Sequence, residues 1–411
     1  MSYLEQYDAA SHADQFALAR KWLDEEPMPF FAELREFRPI LETPKATFVA
    51  RFQDVIDVLR QPKTFSVALY KPKMGDFMLS QDETPAGFRD KAVMQSMLNR
   101  DDIAGVRDLV ARAASDALAA AGGQIEAVHN LGRAVPIKLV QDYFGFAGAD
   151  PQKMFEWSYW NQMDAFHNQP FDIVEDRQAI IDKRETALDE MKRFLAGLVG
   201  KRAFQVWAGA APDDIASRII RTSFPPSVGF TAERAIINIG GLLIGAVETT
   251  SQAAIQAAAY LLAQDDEIRL AAKSAAAQGP EAFDGYVWEA LRFRPISPYM
   301  FRVAEADTML GRGMDWQTRI PKGAHVLPLV GSAMFDKKAY PDADRFDPTR
   351  PLDNAFHLGW GHHECLGKYV ALAMIPEIVR QLFLLDDLEA AQPPDYRGGP
   401  FPESWNLTWA T

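Results

Sequence analysis

One cysteine stands in the 411 residues, and glycines crowd it: Leu358-Gly359-Trp360-Gly361-His362-His363-Glu364-Cys365-Leu366-Gly367 leads into an apolar helical pattern. Glycine permits tight turns and close approach of backbone to a flat ligand. A thiol at a helix start has its thiolate stabilised by the positive end of the dipole. These are the properties of a metal-binding thiolate. From spacing alone, a buried and inert cysteine in a glycine-rich turn is an equal reading. A zinc site from His357, His362, His363 and Cys365 is weaker, because there is no second thiol and consecutive residues seldom converge on one tetrahedral ion. A Cys–His nucleophile is unsupported, since the pair that meets in space is rarely adjacent in sequence.

Two other segments place charge where it needs a reason. Glu289-Ala290-Leu291-Arg292 sets opposite charges at i and i+3 on one helix face, ahead of Pro295 and Pro298. On an ordinary helix this is a solvated pair contributing about a few tenths of a kcal/mol. Gly245-Ala246-Val247-Glu248-Thr249-Thr250 puts an acid and two hydroxyls inside a run otherwise rich in Ala, Ile and Leu. Here the threonines can simply bond back to carbonyls of the preceding turn.

The elements that must position these residues read as mainly α with a minor β-sheet. Helical periodicity runs over 15–37, broken at Pro27 and Pro29, then over 52–60, 102–121, 180–199, 281–293 and 366–384. A long buried helix is expected from a Thr231 cap to about Leu262. Short extended segments fall at 40–41, 47–50 and 300–330, while 63–86 reads as a long loop and 331–364 as irregular chain. No repeat or linker divides the chain, so residues 1–411 read as a single domain.

Composition limits the function classes. With 48% hydrophobic and 24% charged residues the chain can bury a large core. A formal charge of −13 argues against a nucleic-acid partner, and a single cysteine suits a reducing cytosol. Glu5, Asp8, His12 and Asp14 break up any signal-peptide layout, and the membrane-like stretch 236–247 is far short of the roughly 20 residues a span requires. The expectation is a cytoplasmic monomer that meets no membrane.

Taken in order, the three segments resemble the cytochrome P450 family, of the bacterial soluble type. The family's haem loop runs Phe, Gly, any, Gly, any, His or Arg, any, Cys, any, Gly. Gly359, Gly361, His363, Cys365 and Gly367 match it, with Leu358 in the Phe position. The resemblance implies haem b (iron protoporphyrin IX) between the long buried helix and the Cys-bearing loop, with Cys365 as the iron ligand. It implies His363 and Arg302 as partners of the haem carboxylates. The His-x-x-x-Arg that bacterial members carry reads here Gly87-Phe88-Arg89-Asp90-Lys91, so Lys91 or Arg89 would take over a carboxylate. Glu289, Arg292 and Arg345 would form the network that holds the loop. Thr249 and Glu248 would position oxygen and supply protons, and Ala246 replaces a usual Gly.

The activity so implied is a monooxygenase that inserts one oxygen atom of O2 into a small apolar organic substrate. Its electrons would come from a separate ferredoxin-type donor docking near Lys368, Arg107, Arg112 and Lys337. The implied substrate pocket draws on 66–86, the aromatic segment 157–171, Leu243, Ile244, Val247, residues 296–300 beginning at Ile296, and Phe401. The alternatives are a peroxide-driven oxygenase or isomerase of the same fold, and a haem or ligand-binding protein without oxygenase activity.

Overall fold

Proline decides where several helices begin. The structure, a computed structural model, describes residues 1–411, and the helix expected over 15–37 is two, His12–Glu25 and Pro27–Phe37. Pro27 has no N–H to give an interior turn and sits instead in the first turn, where none is needed. Pro85, Pro151 and Pro280 open Pro85–Met97, Pro151–His167 and Pro280–Phe293 in the same way. Thr84 and Asp150 cap the first two through their side-chain oxygens.

The sheet is small. Its five strands lie in the order Ile40–Glu42, Thr47–Val49, His325–Pro328, Arg302–Ala304, Phe65–Ser66. Thr47–Val49 pairs parallel with His325–Pro328, and the other pairings are antiparallel. Gln124–Glu126, Asn406–Thr408 and Glu389–Ala390 make a three-stranded sheet. Apolar cores flank the larger sheet: Phe30, Phe31, Phe48 and Leu327 on one side, Val55, Phe65, Val326 and Phe356 on the other. The largest core lies among the helices. There the Lys368–Phe383 helix, just after the cysteine, packs on Ile103–Ala121, Glu248–Leu262 and Pro280–Phe293. No helix is long and apolar enough to cross a membrane.

Two expectations are corrected. The segment 63–86 is not structureless: it adds Phe65–Ser66 to the sheet and then coils through Ala68–Tyr70, Lys71–Met74 and Met78–Ser80. Its own Lys73 ties it to the chain beyond, donating to Asp164 Oδ1 at 2.9 Å and to the Asn168 carbonyl at 2.9 Å. The long buried helix is two, Ala232–Ala246 and Glu248–Leu262, broken at Val247. Side chains from the Pro151–His167 helix enter at the break. Ser158 Oγ and Gln162 Nε2 donate to the Ile244 carbonyl at 3.1 and 2.7 Å, and the Glu248 N–H turns to Ser158 Oγ at 3.4 Å. Side chains inserting into the backbone ladder are a recognised cause of a kink.

Candidate active site

The thiol faces a cavity of about 370 Å³ with mostly hydrophobic lining. Gly359 and Gly361 both take positive φ, +80° and +64°, which turns the chain back so that the Cys365 N–H meets the Leu358 carbonyl at 2.7 Å. A Cβ on Gly359 would stand 2.7 Å from the His363 carbonyl, so no larger residue fits there without a shift. Cys365 is open to the cavity yet enclosed by protein, and burial pushes its thiol up while the Gly367 N–H and the charge of Lys91 pull it back. The helix beginning at Lys368 adds its positive end to that pull. Leu358, Gly359, His363 and Gly367 line the cavity with it; Gly361 does not, and serves the turn alone.

Across the cavity lies the helix break, presenting Ile244, Gly245, Ala246, Thr249 and Thr250. The Thr249 hydroxyl donates to the Gly245 carbonyl. Glu248 does not line the cavity. It is fully buried against Arg133, whose Nε and Nη2 reach its two oxygens at 3.0 and 2.8 Å. Arg133 also meets Glu403 at 3.2 Å and the Pro402 carbonyl at 3.2 Å, and lies over the Phe155 ring at 4.5 Å. Burial pushes the Glu248 carboxyl up and prevails over the pull from Arg133. The guanidinium, although buried, is held charged by its two carboxylates. Arginine keeps its proton in proteins, so any change of protonation in the pair falls on Glu248.

The cations expected around the cofactor divide sharply. Arg302 is buried on its strand; its Nη1 donates to the Phe301 carbonyl at 2.8 Å, and its Nε has no partner. His363 has Asp82 beside Nε2 at 3.1 Å, and Asp82 is itself held by the Val67 N–H. Lys91 lines the cavity but donates to the carbonyls of His362 and Glu364, clamping the cysteine loop. Arg89 pairs with buried Asp90 and does not line the cavity. Gly87 does line it, but a Cβ there would lie 3.2 Å from atoms of Gln81, Asp82 and Thr84, so the turn closes over any larger side chain.

The loop network also needs one correction. Arg292 donates to both oxygens of Glu289 at 2.9 and 2.7 Å, as the spacing implies. Arg345 enters only through its carbonyl, which accepts from Arg292 at 3.2 Å. The second cation on Glu289 is Arg350, at 3.5 Å, with the Asp347 N–H at 3.0 Å. Of the expected pocket, Ile244 and Ile296 line the cavity, as do Met74 and Phe77 from 66–86, Phe166 from the aromatic segment and Met300 from 296–300. Leu243 and Val247, four apart and so on one side of the helix, turn into the core instead. Phe401 is packed between Tyr159 and His167, whose rings lie 5.3 and 5.0 Å away. Of the residues expected to meet an electron donor, Arg107 is engaged with Asp284 and Glu377, Lys337 with Asp344 and Lys368 with Glu364, while Arg112 is exposed.

These residues fit a haem: a sulfur with an N–H directed at it, a glycine-lined turn beside it and an apolar cavity against it, while Arg302, which does not itself line the cavity, keeps a buried Nε without a partner. Arg133, Ser158, Gln162, Asp82 and Arg350 escaped the sequence reading, since each acts on a partner distant in the chain or through its main chain.

The family model described as Cytochrome P450 matches residues 282–385. The chain is 28% identical over 362 residues to the cytochrome P450 CYP199A2 of Rhodopseudomonas palustris, covering 84% of this chain and 81% of that one. It is 26% identical to the erythromycin C-12 hydroxylase of Saccharopolyspora erythraea, covering 84% and 83%. The solved structure of cytochrome P450 CYP109Q5 from Chondromyces apiculatus superposes with a TM-score of 0.77 at 20% identity, over 95% of this chain and 96% of that one. The stretch that the family model matches contains the only cysteine, and over 84% of its length the chain is similar to cytochrome P450 proteins, monooxygenase oxidoreductases that hold haem through a cysteine.

Proposed function

We propose that the protein inserts one oxygen atom of O2 into a small, largely apolar organic molecule, with electrons delivered by a separate ferredoxin-type protein. One observation carries this reading: a single apolar cavity has the thiol on one wall and a broken helix bearing Thr249 on the other. Haem, when bound, supplies the redox chemistry, with thiolate ligation favouring cleavage of the O–O bond. Cys365 is the ligand. Arg302 takes a haem carboxylate on its free Nε; His363 and Lys91 hold the loop that presents the sulfur, through Asp82 and the two loop carbonyls.

On the opposite wall Thr249 is the proton-handling hydroxyl. Its bond to the Gly245 carbonyl fixes where its oxygen stands, and that oxygen can accept a hydrogen bond from a donor in the cavity while its own O–H donates to the carbonyl. Glu248, one residue away and buried, is the acid that restores protons to this wall, and Arg133 sets its affinity for them. Ile244, Ile296, Phe77 and Phe166 exclude water and present the substrate to the open side. The relatives named hydroxylase and epoxidase carry out the reaction type expected here.

The test is turnover of the haem-loaded enzyme with a surrogate ferredoxin and reductase under 18O2. Label in the hydroxylated product supports the reading. Product formed only with added peroxide, or none with any compound that perturbs the haem spectrum, overturns it.

A further inference from the structure

We propose that Gln162 is a specificity-determining residue: its side-chain oxygen Oε1 accepts a hydrogen bond from a substrate that is apolar apart from one neutral donor, a hydroxyl or an amide N–H. This rests on the reading of the cavity as the substrate pocket. Gln162 lies on the Pro151–His167 helix, is only 3% exposed, and lines the cavity together with Ile244, Gly245 and Thr249. Its Nε2 donates to the Ile244 carbonyl at 2.7 Å. A carbonyl can receive only the NH2 end of the amide, so chemistry sets which end is which, and Oε1 is left on the other side.

No donor of the protein takes that oxygen, and it is not among the buried polar atoms sealed away without a partner. The surface it retains belongs to a residue that borders the cavity. Buried polar groups nearly always find partners, which makes an open acceptor on the wall of a binding cavity a recognition element.

A purely structural role for the amide is weakened by redundancy. Ser158 Oγ already donates to the same Ile244 carbonyl at 3.1 Å, so the helix break does not depend on Gln162. Of the other hydroxyls on the cavity lining, Thr249 is engaged with the Gly245 carbonyl and Ser297 with the Tyr299 carbonyl, while Thr250 is a hydroxyl that can itself donate and so does not duplicate a pure acceptor. An anionic substrate group would meet the lone pairs of Oε1 and is disfavoured; a neutral donor is satisfied by them. Sites that hydrogen-bond a ligand group discriminate strongly against the analogue lacking it.

The experiment compares alcohols with their methyl ethers on the haem-loaded enzyme: 1-adamantanol with 1-methoxyadamantane, borneol with bornyl methyl ether, and 4-phenylcyclohexanol with its methyl ether. Dissociation constants come from the absorbance change on ligand entry. The parent enzyme is expected to prefer each alcohol that binds by about tenfold, in line with one net hydrogen bond. Gln162→Met should erase that preference by weakening the alcohols while the ethers stay within about twofold. Ser158→Ala, which leaves the Gln162 amide in place, should retain it. Equal binding of alcohols and ethers by the parent overturns the proposal, as does a Gln162→Met variant that loses both alike. If no probe of either kind perturbs the spectrum, the reading of the cavity as a substrate pocket fails first, and the proposal with it.

Discussion

Glu289–Arg292 and Glu248–Arg133 are one kind of ion pair in two settings. The first is made within a helix, three residues apart, and every remaining group is closed: the Met334 and Arg345 carbonyls accept from Arg292, while the Asp347 N–H and Arg350 serve Glu289. The second joins residues 115 apart, and its guanidinium is shared with Glu403, whose side chain is 20% exposed. A pair closed on all sides can only hold the chain in place. One whose cation is divided between a sealed and a part-exposed carboxylate has a protonation balance that its neighbours can alter. The first stands behind the cysteine loop and the second behind the helix break, so the rigid and the responsive walls of the cavity differ in how their buried charge is satisfied.

The contrast is broken most severely by removing the carboxylate from the closed pair. Glu289→Ala leaves Arg292 buried and uncompensated and is expected to cost about 3–5 kcal/mol, read as a lowered urea midpoint and poor haem content. A midpoint within about 1 kcal/mol of the parent would mean that the main-chain carbonyls suffice to hold Arg292.

Arg133→Met should cost less, about 1–3 kcal/mol, because Glu248 can take up a proton where Arg292 cannot lose one. Its signature is pH dependence. Burial already raises the Glu248 carboxyl, and without Arg133 nothing pulls it back. A folded-state pKa above the unfolded value means that stability is fully present below the ordinary carboxylate range and is lost as pH rises through the folded value. The urea midpoint of the variant should therefore fall further behind the parent at pH 8 than at pH 5. A constant gap would show that Glu248 gains another partner.

On the cysteine side, Lys91→Ala frees two loop carbonyls and should cost about 1 kcal/mol, seen as severalfold faster haem transfer to an acceptor apoprotein. Arg89→Ala, acting on Asp90 away from the cavity, should release haem more slowly than that. The reverse order would move the role to Arg89. Smallest of all is Glu403→Gln, expected to change stability by less than about 1 kcal/mol. Losing a negative neighbour lowers the Glu248 carboxyl, so the decline of stability toward high pH should become shallower. An unchanged slope would show that Arg133 does not couple the two acids.

Residues close in sequence, and the chemistry they make together, were legible without coordinates. Cys365, its glycines and the helix start behind it are contiguous, and the Glu289–Arg292 pair follows from helical spacing, so local geometry determined both. The break at Pro27 and the short extended segments were legible in the same way, but not the pairing of those strands, which joins Thr47–Val49 to His325–Pro328. What lay beyond reach depended on partners elsewhere in the chain. Arg350, rather than Arg345, meets Glu289 because of how the irregular chain after the sheet folds back. At the break near Val247, Ser158 and Gln162, more than 80 residues away in the chain, both supply donors to one carbonyl. On the same helix Leu243 and Val247 turn to the core while Ile244 keeps the cavity. Periodicity can name the residues of a buried helix, but which of its faces meets the cavity is decided by the side chains that neighbouring helices insert, and those are brought together only by tertiary packing.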